Sequence, residues 1–387
     1  MRGLTNSQIN QIHQKMIFRL IWENGPISRS QIQKVLGLSK STVSVITRGL
    51  INKNLIQEIG QQDSPLGRKP KNLSINYNYF HLLGIQIKDS GEIEAGLVNF
   101  GGKIKKWKKT KIANNSSPQE AVKAVSILIN RYLSTPLPLP ILGIGIGVPG
   151  IVNHQKGIIE YSTHFNWKNF PLKKLIQKEI APEISLIVDN RTMATTLGEV
   201  WFGDSRENKN FICVNYGYAI GAGIVIDGKL YRGSPNGAGE IGQIRIETLN
   251  QDLEFTTNVS LESLSSLPTI MESLGETYEG ESKAARKLKS NINHPKVQKS
   301  LKQAFANLGK VTGILIATLA PESIVFAGAL PQVAPYMFRE EVQKWVQATT
   351  LETMFKKVSL KISSLTETKE LLGSASLVLE DFCSLNT

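Results

Sequence analysis

The chain opens on apolar positions spaced for a helix: Ile9, Ile12, Met16, Ile17, Leu20 and Ile21 fall on one stripe with polar residues between them. A shorter helix is predicted over residues 30–36, with Ile32, Val35 and Leu36 on one inward face and Gly37 supplying the turn after it. Ser39 is placed to cap a third helix, in which Val43, Ile46 and Leu50 recur at helical spacing. Packing those three inward leaves Lys40, Ser41, Thr42, Ser44 and Arg48 facing outward. The period then changes to two: residues 55–60 and 73–76 alternate like paired strands, and the loop between them carries Gly67, Arg68, Lys69 and Pro70. From Leu82 onward strands and helices alternate. Strand-like runs at 82–87, 94–100 and 108–112 suggest a meander, followed by a helix at 118–132 and a strand at 141–148. Further strands at 185–189, 211–216, 221–226 and 323–328, and helices at 297–319 and 367–382, complete an α/β pattern.

The first 78 residues therefore read as a helix-turn-helix with a β-hairpin wing, a pattern that predicts binding to double-stranded DNA. In such a module the second helix of the turn enters the major groove, where small hydroxyls and cations suit base edges and phosphate oxygens. Ser39, Lys40, Ser41, Thr42, Ser44 and Arg48 are the candidate contacts on that helix, with Arg48 assigned to phosphate; Arg68 and Lys69, beside a flexible glycine, are suited to follow a narrow groove. Charge supports this reading: residues 1–78 hold 11 Lys or Arg against 3 Asp or Glu, a net +8 out of the chain's +13. Counterion release from a duplex then predicts steep salt dependence of binding.

Composition narrows the remaining choices. At 387 residues and 41% hydrophobic content, the chain can bury a large core in two or three domains. Two cysteines, Cys213 and Cys383, are too few for a disulfide framework or a four-cysteine metal site. A polar N-terminus and the lack of any run of 18 apolar residues predict neither signal peptide nor membrane span, and so a cytoplasmic protein. Six lysines between Lys103 and Lys111 surround Trp107; they read as the solvated face of an edge strand that blocks pairing with other chains, ahead of a second nucleic-acid patch. The GIGVPG run at 145–150 has the glycine spacing of a dinucleotide fingerprint, but Pro149 and the residues after it do not open the helix that motif needs.

Taken in order, the wing GRKP, then GIGVPGIV, YSTHFNWKNFPL, VDNRTMATTLGEVWFG, NYGYAIGAGIVIDGKLYRG, GAGEIGQ and PESIVFAGAL resemble the ROK family of sugar-responsive repressors and sugar kinases. The regulator branch, with its xylose- and N-acetylglucosamine-type repressors, is the better match. The resemblance implies an N-terminal winged helix-turn-helix followed by a two-lobed actin-like (RNase H-like) domain, with a sugar cleft between the lobes and assembly into homodimers or homotetramers. The expected division is 1–78 for the DNA-binding domain, 79–190 for a small lobe onto which a C-terminal helix at 367–384 packs back, and 191–366 for a large lobe.

Departures from the family's kinases favour a regulator over an enzyme. The kinases' sugar-deprotonating aspartate corresponds to Arg191 in Asp189-Asn190-Arg191-Thr192-Met193, and a guanidinium cannot accept that proton at neutral pH. The first phosphate-binding segment reads Gly84-Ile85-Gln86-Ile87-Lys88-Asp89-Ser90-Gly91, without the carboxylate and two of the glycines, and the second carries Tyr218 and Ala219. The glycine run that meets the nucleotide's adenosine is thinned to Ala327-Gly328-Ala329. Gln243 stands where the family's zinc-binding histidine would be, and the cysteines that complete that site are missing, so neither metal nor cofactor is expected. The resemblance assigns the effector to Gly150, Asn166, Asn190, Arg191, Glu240 and Gln243, with Glu262 and His164 nearby. Arg191 admits two readings: it recruits an anionic effector such as a sugar phosphate, or it pairs with a neighbouring carboxylate and closes the pocket. The expected function is a repressor of carbohydrate-metabolism genes governed by a sugar or sugar-derived effector. The alternatives are a sugar kinase with an appended DNA module and a ligand-independent DNA-binding regulator.

Overall fold

A computed structural model describes residues 5–61, 71–113, 117–134, 139–162, 165–180, 184–234, 236–249, 255–365 and 370–383. The N-terminal module is built from α1 (Asn6–Asn24), β1 (Ile27–Ser28), α2 (Arg29–Leu36), α3 (Lys40–Asn52), β2 (Ile56–Gln61) and β3 (Lys71–Ile75). Side chains start each helix: Thr5, Ser28 and Ser39 accept hydrogen bonds from the first-turn amides of Gln8, Gln31 and Thr42. Gly37, in the left-handed conformation, ends α2 and turns the chain into α3. β2 and β3 form the antiparallel ladder expected of a wing, and β1 pairs with the far side of β3. Val35 departs from expectation. It is 62% exposed, because α2 turns only the edge carrying buried Ile32 and half-buried Leu36 toward α1 and α3.

Two five-stranded sheets with one topology follow. The first orders β11 (Ser185–Asn190), β7 (Ile141–Val148), β4 (His81–Ile87), β5 (Glu92–Asn99) and β6 (Ile104–Lys111). Its β4, β5 and β6 are an antiparallel meander, while β7 and β11 run parallel to β4 after crossovers through α4 (Pro118–Leu133) and α5 (Leu172–Glu179). A small sheet of β8 (Ile151–Asn153), β9 (Ile158–Ser162) and β10 (Trp167–Phe170) precedes α5. The second large sheet repeats the plan as β14 (Lys229–Tyr231), β13 (Ile220–Ile226), β12 (Phe211–Tyr216), β17 (Ser323–Ala327) and β18 (Ser359–Ile362). Here too a meander is extended by two parallel strands, and α7 (Leu261–Ser265), α8 (Leu267–Ser273), α9 (Glu281–Ser290) and α10 (Pro295–Leu319) are inserted after the hairpin β15 (Arg245–Leu249) and β16 (Phe255–Ser260). The lysine run forms β6 at the edge of its sheet, exposed along most of its length, as its composition predicted.

Two helices join these parts. α6 (Arg191–Phe202) begins where β11 ends and lies against strands β12 and β13 of the second sheet. The last element, labelled α14 after α11 (Leu330–Val333), α12 (Pro335–Thr349) and α13 (Glu352–Phe355), runs Glu370–Cys383 and crosses the first sheet while packing along α6. Residues 366–369, where that terminal helix was expected to start, lie outside the described residues. The contact is close because the strands beneath offer glycines: a Cβ at Gly145 would overlap the carbonyl oxygen of Ser374. The N-terminal module is not a tethered appendage. Its core residues Ile17, Phe18, Ile21, Val43 and Leu50 belong to one apolar cluster with Leu197 and Trp201 of α6 and Leu372 and Leu379 of α14.

Gly145→Ala is expected to lower the free energy of unfolding by at least about 2 kcal/mol, since the added methyl has no space and the facing atom is backbone. Gly49→Ala, on the open face of α3, should instead be neutral or stabilise by up to about 1 kcal/mol. Denaturant titrations that returned equal effects for the two would contradict this packing.

Candidate DNA interface and effector cleft

The candidate DNA contacts lie along one side of α3. Ser39, Lys40, Ser41 and Arg48 are exposed, and Thr42 and Ser44 are half-buried, opposite buried Val43, Ile46, Thr47 and Leu50. The Ser39 hydroxyl lies 2.8 Å from both the Ser41 and Thr42 hydroxyls, so these three oxygens form one cluster around the helix start. Ser44 and Arg48 also line a groove of about 760 Å³ running toward β2, with Arg29, Glu58 and Asn76 on its walls. Arg29 was not anticipated. Its guanidinium donates to Thr47 Oγ1 at 3.0 Å and to Glu58 at 2.9 Å, and Glu58 also accepts from Lys71 at 2.8 Å. These bonds tie α3 to both strands of the wing and hold the Glu58 carboxyl below its ordinary value, Lys71 contributing most. Arg68 and Lys69 lie outside the described residues.

The effector candidates converge only in part. Asn190 caps α6: its Oδ1 accepts from the amides of Thr192 and Met193, and its Nδ2 donates to the Gly150 carbonyl at 2.6 Å. Gly150 has φ +109°, and a side chain there would strike Ser162. Glu262 accepts from the Ile220 amide at 2.9 Å. Burial raises the pKa of Glu262 and of Glu240, and each is raised further by a neighbouring carboxylate, Asp89 for Glu262 and Glu262 itself for Glu240. Gln243 is exposed on the 3₁₀ turn Ile241–Gln243, and Asn166 is exposed in a turn at φ 52°. No bond links either side chain to the Asn190 group among the described residues. His164 lies outside those residues.

Arg191 is buried, and two carboxylates hold it. Its Nη1 lies 2.7 Å from Asp89 Oδ2 and its Nη2 lies 3.4 Å from Glu281 Oε2, with all three side chains 7–8% exposed. Burial opposes the positive charge, but Asp89, Glu281 and Glu370 outweigh it and keep the guanidinium ionised. Around this centre Lys88 pairs with Glu94 at 3.0 Å, and the Tyr218 and Tyr278 rings sit 5.3 Å apart. Desolvation, then Asp89 and Glu262, push the Tyr218 phenol up to about 12. Asp89 came from the sequence as part of an altered phosphate segment; Glu281 and Glu370, far along the chain, carried no local signal. Buried, paired side chains of both signs therefore fill this centre. Zinc does not fit beside Gln243, as both cysteines are buried in other elements.

The far end of α6 meets the N-terminal module. Trp22 of α1 packs edge-on against Trp201 at 5.1 Å between ring centroids and against Phe202 at 6.0 Å, and Phe18 meets Phe382 of α14 at 5.1 Å. Arg19 donates to the Gly228 carbonyl at 3.1 Å and lies over the Trp201 ring. A cavity of about 1160 Å³ beside this junction is lined by Arg19, Trp22, Glu380, Arg232 and Asp189, the last two bridged at 2.6 Å. Asp189 is the residue immediately before the Asn190 cap.

The sequence matches the ROK family over residues 85–381 and the MarR family over residues 12–59. It is 27% identical to the xylose repressor of Caldicellulosiruptor bescii, covering 97% of each chain. It is 26% identical to the DNA-binding transcriptional dual regulator NagC of Escherichia coli strain K12, covering 84% of this chain and 82% of that one. A crystal structure of a ROK family transcriptional regulator, a homolog of the E. coli MLC protein, superposes with a TM-score of 0.81 at 24% identity over 98% of both chains. A ROK family glucokinase from Streptomyces griseus, solved with glucose and AMPPNP, shares the fold of the larger part alone, with a TM-score of 0.63 at 20% identity over 77% of this chain and 98% of that one.

Burial raises Glu370 to about 7 from an ordinary 4.5, and Arg191 only partly offsets it. A raised carboxyl pKa means the folded chain keeps a proton that the unfolded chain has released. Its contribution is therefore full below about pH 4.5 and is lost as pH rises to about 7. Glu370→Gln is expected to remove part of the stability lost between pH 5 and 7.5 in denaturant titrations, while a wild-type pH profile unchanged by the substitution would contradict the assignment.

Proposed function

Because the chain belongs to the ROK family, we propose that this sugar-responsive DNA-binding repressor of carbohydrate genes recognises an uncharged sugar in the cleft at the head of α6 and has no kinase activity. The observation that carries the choice of effector is the pairing of Arg191 with Asp89 and Glu281. A guanidinium already neutralised by two carboxylates has little left to offer a phosphate, and the further carboxylates Glu262, which feels Asp89, and Glu240, which feels Glu262, would repel one. The same carboxylates are good acceptors for sugar hydroxyls, and Asn190 and Gly150 offer a preformed edge for the ring. Asn166, Arg191 and Gln243 belong to the proposed cleft as wall, positioning and rim residues. The xylose repressors among the relatives make D-xylose the first sugar to test.

The absence of phosphoryl transfer rests on Arg191 at the position of the kinases' base, on Gln86, Lys88 and Asp89 in the first phosphate segment, and on Tyr218 in the second. Control of DNA would run along α6. Its first residues sit in the cleft and its last two aromatic residues touch Trp22, so a sugar that favours one setting of the lobes also favours one setting of the module. Two modules in a homodimer, or two pairs in a homotetramer, would read the half-sites of a pseudo-palindrome through Ser39, Lys40, Ser41, Thr42, Ser44 and Arg48, with Arg68 and Lys69 of the wing reaching the adjacent groove. Among the described residues no helix is long and apolar enough to cross a membrane, and the proposed site of action is the cytoplasm.

Operator release followed by fluorescence anisotropy tests this reading with D-xylose, D-glucose and N-acetylglucosamine, each beside its phosphate. One neutral sugar is expected to release the DNA and its phosphate to fail; release by a phosphate alone would overturn the choice of effector. Glu240→Gln is expected to weaken the effective sugar about tenfold and to leave operator affinity in its absence unchanged. Arg48→Ala should weaken binding to all duplexes alike and lower the slope of log affinity against log salt by about 1, whereas a loss confined to one sequence would show that Arg48 reads a base.

A further inference from the structure

Val45 stands out on the DNA-facing side of α3. It is 62% exposed, while Val43 and Ile46 on either side are 1% and 5% exposed and belong to the module's core. A β-branched residue on an open helix face lowers helix propensity, and here it buries nothing in return. Its neighbours on the exposed stripe are Ser41 one turn earlier, Ser44 beside it and Arg48 one turn later. The oxygens at the helix start are already drawn together, since the Ser39 hydroxyl lies 2.8 Å from those of both Ser41 and Thr42 around the cap. That arrangement suits the helix end to holding the backbone in register. With Arg48 serving phosphate, the side chains left to meet the groove floor are Ser44 and Val45. The surrounding charge selects the occupant of this apolar spot, as Lys40 and Arg48 flank it within a module of net charge +8.

We infer that Val45 is a specificity-determining residue whose isopropyl group packs against the 5-methyl group of a thymine in the major groove, so that each half-site carries a required A·T pair at that position. Thymine is the base that offers an apolar group in the major groove, and it alone rewards a valine among hydroxyls and cations. The inference rests on the DNA-reading role of α3 proposed above. It goes beyond that role by naming the base and the atoms in contact.

The test uses the full-length chain. Sequences are enriched from a random duplex pool, and each thymine of the enriched half-site is then replaced singly by deoxyuridine, which deletes the methyl and leaves pairing intact. For the wild type, one such replacement is expected to weaken binding about fourfold, the worth of one methyl group withdrawn from water. Val45→Ala should bind the parent site more weakly by a similar factor, lose its sensitivity at that thymine and keep the wild-type response at every other. Its melting temperature should match or exceed that of the wild type, since alanine is the better helix former. A deoxyuridine profile that is the same for both proteins overturns the inference and leaves the DNA-reading role standing. Failure of the wild type to enrich any sequence overturns both.

Discussion

The buried pairing of Arg191 with Asp89 and Glu281 is the constraint on which the rest of the arrangement depends. Asp89 follows the first strand of one sheet, Glu281 opens a helix inserted into the other, and Arg191 is the first residue of the helix that lies against both. Three ionised groups this deep are costly to desolvate, and their mutual attraction offsets the cost only while all three keep their places. Loss of one partner leaves an uncompensated charge, an effect of about 3–5 kcal/mol. The setting of the two lobes is therefore coupled to a charge cluster at the head of α6. Lys88, Glu94 and Glu370, the first residue of α14, extend the cluster.

From that fixed point the fold runs in two directions. Toward the proposed cleft lie the Asn190 cap, Gly150, Glu240 and Glu262, none of them a cation, and the proposal of an uncharged sugar as effector rests on this. Toward the DNA, α6 carries Trp201 and Phe202 into contact with Trp22, and the helix-turn-helix shares its apolar core with α14. A module joined by a flexible linker would respond weakly to events in the cleft. One that shares a packed core moves with it or resists it, since close-packed interiors have discrete arrangements and do not deform continuously.

How legible this was in the sequence varied with the range of the interactions. The helix-turn-helix follows from local rules, namely a cap at Ser39, a turn at Gly37 and a helical period in Val43, Ile46 and Leu50, and these hold in the structure, while the cap of the preceding helix at Ser28 was not foreseen. Val35 did not follow, because one turn of apolar spacing cannot say which edge of a short helix meets its neighbours. The edge position of the lysine strand was readable from composition alone. The partners of Arg191 were not: Glu281 lies 90 residues away and Asp89 lies 102, and nothing local marks either as its counterion. Motif order supplied the two-lobed ROK architecture, and only the three-dimensional arrangement distinguishes an Arg191 presented to a ligand from one already held.

The most direct test of the proposed coupling is the operator affinity of Trp22→Leu, measured with and without a saturating releasing sugar. Leucine keeps the site apolar and removes the contact between rings. The account predicts that sugar and operator each bind the variant nearly as they bind the wild type, while the sugar no longer weakens the operator. If the sugar released DNA from the variant as fully as from the wild type, α6 and its aromatic junction would not be the route between the two sites.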